Sequence, residues 1–320
     1  MSAIFRFNVV IHRYSDGVTR TWLTFIFVLM LSGYAPAGEV HCNQDSSGPN
    51  GQLTELLKTT LQSFNDLQMS TDGPNCWNAA LISTGILKST RPVTKPEFWF
   101  WMNSEYCKAL PASEKPRTGD IGSLFWKHWG NYHSFMRIDD NTVFSKNGPE
   151  IKDKYKVQSY ESMFFDNYKE MAKTCKGSEQ NLKNKGCEFE VVHHRCRPLE
   201  NNFFAGVKEI KNTSDQIDGI ESRLSKWMVN SESLSESEVS AAFEALGTHL
   251  TQVRAQKLEG QKEFARKALE YRIVGLLHTG LNDARYSLTQ DALAAVDKAY
   301  QVQTKERSHV PKTADEIQHR

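Results

Sequence analysis

Cys76 follows Gly73-Pro74-Asn75 and opens an apolar stretch, Trp77-Asn78-Ala79-Ala80-Leu81-Ile82. The spacing predicts a helix start there. Unpaired N–H groups and the positive end of the helix dipole would favour a thiolate, the nucleophilic form of cysteine. The N–H of Cys76 itself could help hold an oxyanion. The general base to match it is His133, which opens a strand-like stretch, Tyr132-His133-Ser134-Phe135-Met136-Arg137-Ile138. A histidine at a strand start can face a helix N-terminus packed on the sheet. It could take the thiol proton and later protonate a leaving amine. His128, in the turn-like Lys127-His128-Trp129-Gly130, is its competitor. A third group should orient the imidazole. Asn147 can accept from the ring N–H, and Ser145 is the other candidate. Side chains alternate between faces of a strand, so only one of two neighbours points at His133, and the choice stays open. The plainer reading of Cys76 is a buried structural thiol or half of a disulfide, and of His133 an ordinary surface histidine.

The elements that would position these groups can be read in outline. Leu53, Leu56, Leu57, Leu61, Phe64 and Leu67 fall on one helical face, and Thr71-Asp72-Gly73-Pro74 ends that helix. The helix from Cys76 is expected to run to about Leu87 and, being apolar nearly all round, to be buried on several sides. A third helix, rich in aromatics, is expected over Glu97–Leu110. Strands are expected over Asp120–Trp126, Tyr132–Ile138 and Thr142–Lys146, the last two joined as a hairpin by Asp139-Asp140-Asn141. A further strand is expected over Lys152–Gln158, a helix over Glu161–Ala172 and a strand over Glu188–His194. Past Pro198 the composition turns helical. Ser235 and Glu238 form a capping-box pattern ahead of Phe243, Leu246, Leu250 and Val253. Phe264, Ala268, Tyr271 and Leu276 suggest another amphipathic helix, and Leu288–Val302 a last one.

The segment Thr21–Leu31 is an apolar run preceded by Arg13 and Arg20 and followed by Ala35-Pro36-Ala37. A basic segment, a short apolar core and an Ala-x-Ala site make an export signal. The run is shorter than the ~20 residues needed to span a bilayer. The expected organisation is therefore a signal over 1–37, an α+β domain over 38–200, a helical module over 201–304 and a polar tail over 305–320, with the mature protein periplasmic or extracellular. All six cysteines lie beyond the cleavage point, where disulfides persist, and Cys175, Cys187 and Cys196 are close enough in sequence for one local bridge. Cys187, His193, His194 and Cys196 lack the paired spacing of a structural zinc site, so no metal is expected. No Gly-rich phosphate loop stands in the chain, so no cofactor is expected either. A net charge of +1 over 320 residues gives no basic field for nucleic acid. Membrane contact is expected only through the export signal.

The order of motifs resembles the papain-like cysteine peptidases of the NlpC and CHAP type: Asn75-Cys76-Trp77-Asn78-Ala79-Ala80-Leu81, then Gly119-Asp120-Ile121-Gly122, then the hairpin from His133 to Asn147. The likeness covers residues 70–150. It implies a papain-like α+β domain, an antiparallel sheet packed on a nucleophile helix, followed here by an all-helical C-terminal module. It implies Cys76 as nucleophile and His133 as base. Ser145 falls where the NlpC-type third residue would lie, while Asn147 matches the CHAP or papain choice. The implied activity is hydrolysis of a peptide or amide bond, in a peptide or peptidoglycan substrate, through a Cys76 thioester. The alternative is a non-catalytic exported structural or partner-binding protein on the same scaffold.

Overall fold

Asn75 accepts a hydrogen bond from the Asn78 N–H and starts helix α1 at Cys76; its own amide donates to the Val93 carbonyl. The structure, a computed structural model, describes residues 61, 64, 69, 73–126, 130–150, 152–167, 189–229 and 234–282. Helix α1 (Cys76–Ser83) stops short of Leu87 because Thr84 caps it and Gly85 turns the chain at φ +74°, a conformation that favours glycine. Thr94 caps α2 (Lys95–Met102) by accepting from the Glu97 N–H. The expected single helix over Glu97–Leu110 is corrected: it ends at Met102, and Cys107–Ala109 forms strand β1. Three residues carry no readable alternation, and their strand character comes wholly from pairing with another strand.

The remaining strands are β2 (Ile121–Trp126), β3 (Gly130–Arg137), β4 (Thr142–Lys146), β5 (Tyr155–Ser159) and β6 (Phe189–Cys196). They form a six-stranded antiparallel sheet in the order β1-β6-β2-β3-β4-β5, so the fold is α+β. The β3–β4 hairpin turns through Asp139-Asp140-Asn141 as expected; Asp139 accepts from the Asn141 N–H. Helix α3 (Tyr160–Asn167) follows β5 directly.

The sheet has two apolar faces. Ile121, Phe125, Met136, Phe144, Tyr155 and Val192 pack in one cluster with α1 and α2, the helix face. Leu124, Phe135, Val143 and Phe189 pack with Tyr160 and Met163 of α3 on the far face. Gly122 also lies on the far face, where any Cβ would run into the Phe135 ring. Past residue 200 come α4 (Lys208–Met228), α5 (Glu236–Ala255) and α6 (Gly260–Asn282). Ser235 and Glu238 complete the capping box at α5. Phe243, Leu246, Leu250 and Val253 of α5, with Leu276 of α6, join the cluster of the helix face. Phe100 of α2 stacks on Phe264 of α6 with centroids 4.7 Å apart.

Cys196 is bonded to Cys107, not to Cys175 or Cys187. The pairing of β1 with β6 sets Cys107 directly opposite Cys196, which is the proximity a disulfide needs. No helix among the described residues is long and apolar enough to cross a membrane. The segments 1–60, 168–188 and 283–320 lie outside the described residues, and with them the export signal, most of the expected helix over Leu53–Leu67 (of which Leu61 and Phe64 are described, both helical), the expected helix over Leu288–Val302, and Cys42, Cys175 and Cys187.

Candidate functional site

Cys76 is the free cysteine among the described residues, buried at the first position of α1. The helix N-terminus rests against β3, and the backbone N–H groups of Ser134, Trp77 and Cys76 are directed at the sulfur. Burial nonetheless pushes the thiol up to about 11, outweighing those donors and the nearby Lys146 ammonium. Lys146 is itself fully buried, donating to the carbonyls of Gly148 (2.6 Å) and Glu150 (3.1 Å).

His133 lies on the other side of the sheet. The register pairs Leu124 with His133 and Phe125 with Asn131, leaving Tyr132 as an extra residue in β3. Directly paired residues of an antiparallel sheet share a face. His133 therefore shares the far face with Leu124 and Phe135, while Asn131 and Ser134 share the helix face with Phe125 and Met136. Strict alternation from Asn131 would bring residue 133 to the helix face; the bulge at Tyr132 reverses it. The bulge is held by Asn131. Its amide donates to the carbonyls of Leu124 (3.2 Å) and His133 (3.1 Å), and its oxygen accepts from the Trp77 indole of α1 (2.9 Å).

The pairing of Cys76 with His133 expected from motif order is thus not formed. The two sit on opposite faces, and the His133 Nε2 has no hydrogen-bond partner. Burial lowers the imidazole to about 4. At neutral pH both groups are uncharged, the reverse of a thiolate–imidazolium pair. Ser145 and Asn147 do come together on the far-face side: the Ser145 hydroxyl donates to the Asn147 oxygen (3.1 Å), and the Gln158 amide donates to both (3.0 Å each). So His133 and Ser145 share a face with each other and not with Cys76, and neither Ser145 nor Asn147 bonds to the His133 Nε2. His128 lies outside the described residues.

Sequence reasoning missed Asn131, Ser134, Lys146 and Gln158. Ser134 could have been found, since a small residue beside a helix N-terminus allows close approach; the others depend on a register that no local pattern reveals. His193 and His194 are paired with Gly122 and Ile121, hence on opposite faces, and the Cys196 sulfur is in the disulfide. That parts His193 from His194 and takes up the Cys196 sulfur; Cys187, the fourth residue weighed as a metal ligand, lies outside the described residues.

The His133 burial has a measurable consequence. Its folded value near 4 lies below the ordinary 6.5, so the unfolded chain binds the extra proton between those values. Stability is full above pH 6.5 and falls as pH drops toward 4, by about 3 kcal/mol. Urea unfolding across this range should show the decline, and His133→Gln should make it shallower, the remaining slope coming from His194, which burial lowers in the same direction to about 3. An unchanged slope in the variant would show that His133 titrates normally.

Comparison with protein families, with curated proteins and with solved structures gives no match to this chain.

Proposed function

We propose that this chain is an exported, non-catalytic binding protein on a papain-like α+β scaffold carrying an all-helical C-terminal module. The observation that carries this reading is the bulge at Tyr132, which leaves Cys76 and His133 on opposite faces. Acyl transfer by cysteine needs a base within hydrogen-bond reach of the sulfur, directly or through one water. Here the thiol is held protonated by burial. Cys76 then serves as packing between α1 and the Ser134 segment of β3.

A second reading, the cysteine hydrolase acting on a peptide or peptidoglycan amide, is favoured by one feature. The Cys76 sulfur is free and collects N–H donors from two elements, the kind of cradle that stabilises a thiolate or an oxyanion. It requires the imidazole on the helix face.

Timed alkylation of the purified chain with iodoacetamide at pH 7.5, read by mass spectrometry, separates the two. A thiol at about 11 carries roughly 10²-fold less thiolate than an ordinary cysteine. The expected result is alkylation of Cys76 roughly 10²-fold slower than a peptide cysteine, unaffected by His133→Ala. Fast, selective labelling that His133→Ala slows would overturn the proposal in favour of the hydrolase.

A further inference from the structure

At the β1/β6 end of the sheet a cleft of about 160 Å³ opens beside the Cys107–Cys196 disulfide. Four cations line it: Lys108, Arg117, Arg195 and Arg197. Lys108 stands directly opposite Arg195 in the β1–β6 register. Like charges directly opposite one another destabilise a sheet. Two of the four are compensated. Arg195 holds both oxygens of Asp120 (3.0 and 2.8 Å) and also pairs with Glu114. Arg197 lies over the Tyr106 ring at 4.4 Å and reaches Glu200 (3.5 Å) and Glu105 (3.7 Å). The side chains of Lys108 and Arg117 have no anionic partner among the described residues, and both are exposed.

We propose that this cleft binds a compact oxyanion, a carboxylate or a phosphate group, between Lys108 and Arg117. An anion there would give Lys108 the counter-charge it lacks and meet the planar donor fork of Arg117, which suits both groups. The volume is below the ~300 Å³ of a site for a drug-sized molecule, so one small charged group fits rather than an extended ligand. The walls are set in advance. The disulfide ties β1 to β6, and the Arg117 N–H donates to Asp120 (2.9 Å), fixing the loop that carries the Arg117 side chain. The backbone therefore needs little reordering, and the cost of binding is the rotamer freedom of the two exposed side chains. The whole chain carries only +1, so the two uncompensated cations are a local feature and not part of a general field. The inference stands whether or not Cys76 is a nucleophile.

Isothermal titration calorimetry of the purified full chain at low salt tests it with three probes: N-acetylglycine, its neutral amide N-acetylglycinamide, and inorganic phosphate. Binding of N-acetylglycine or phosphate, but not of the amide, is expected. Binding of phosphate alone assigns the site to phosphate groups, and of N-acetylglycine alone to carboxylates. Lys108→Gln with Arg117→Gln should weaken binding at least tenfold with the unfolding midpoint held or raised. The proposal fails if neither anion binds, if the amide binds as well as the acid, or if the double variant binds like the parent.

Discussion

Replacing Arg91 by Met is expected to destabilise the protein by about 3–5 kcal/mol, the cost of leaving a buried charge without its partner. Arg91 is fully buried, and its guanidinium donates to Glu97, which is equally buried, and to Glu221 (3.1 Å). Glu221 accepts in turn from Arg272 and from the Ser89 hydroxyl. Burial pushes Glu221 up, but the Arg272 and Arg91 guanidiniums and the Ser89 hydroxyl outweigh it and hold the carboxyl below its ordinary value. The network joins the loop before α2 to α4 and α6. Space around it is tight: a Cβ at Gly275 would lie 2.8 Å from the Pro92 carbonyl and 3.0 Å from Glu97 Oε2. Methionine fills much of the arginine volume but leaves the Glu97 carboxylate facing no cation at hydrogen-bond distance. Urea unfolding of Arg91→Met gives the loss directly. The double variant Arg91→Met with Glu97→Met should lose less than the two single changes together, because the stranded charge is gone. A single-variant loss under about 1 kcal/mol would show that water reaches the network. The Glu221 contribution is present above its unfolded pKa and is lost as pH falls through the folded one.

Breaking the Cys107–Cys196 bridge is the other large expected effect. The two residues are 89 apart in sequence. A loop of that size, closed in the unfolded chain, stabilises the folded state by about 4.6 kcal/mol in the chain-entropy account. Cys107→Ser with Cys196→Ser should therefore lower the urea midpoint, with β1 the first element to open. That strand has three residues and, among the described strands, lies at the sheet edge and pairs with β6 alone. Hydrogen exchange should show faster exchange at the Leu110 N–H, which donates to the His193 carbonyl, and at the Arg197 N–H, which donates to the Tyr106 carbonyl. An unchanged midpoint in the double serine variant would mean that the β1–β6 hydrogen bonds and the rings packed on Tyr106 hold the edge without the bridge.

Much of the architecture follows from local pattern. The cap at Asn75, the short apolar runs of β2 to β4, the Asp-Asp-Asn turn and the capping box at Ser235 each act within a few residues, where propensity and hydrogen bonding decide. These placed Cys76 at a helix start and His133 in a strand from sequence alone. Three things were decided only in the tertiary structure. Strand β1 exists because β6 and a disulfide hold it, and three residues cannot announce that. The partner of Cys196 was set by strand register across 89 residues, whereas sequence spacing allows a local bridge among Cys175, Cys187 and Cys196 without assigning one. The face on which His133 lies was set by one extra residue, Tyr132, in a bulge held by Asn131. A one-residue slip exchanges the faces of a strand, and the hydrogen bonds that stabilise it come from a side chain docked on another element. Motif order survives such a slip unchanged; the distance between a thiol and its base does not.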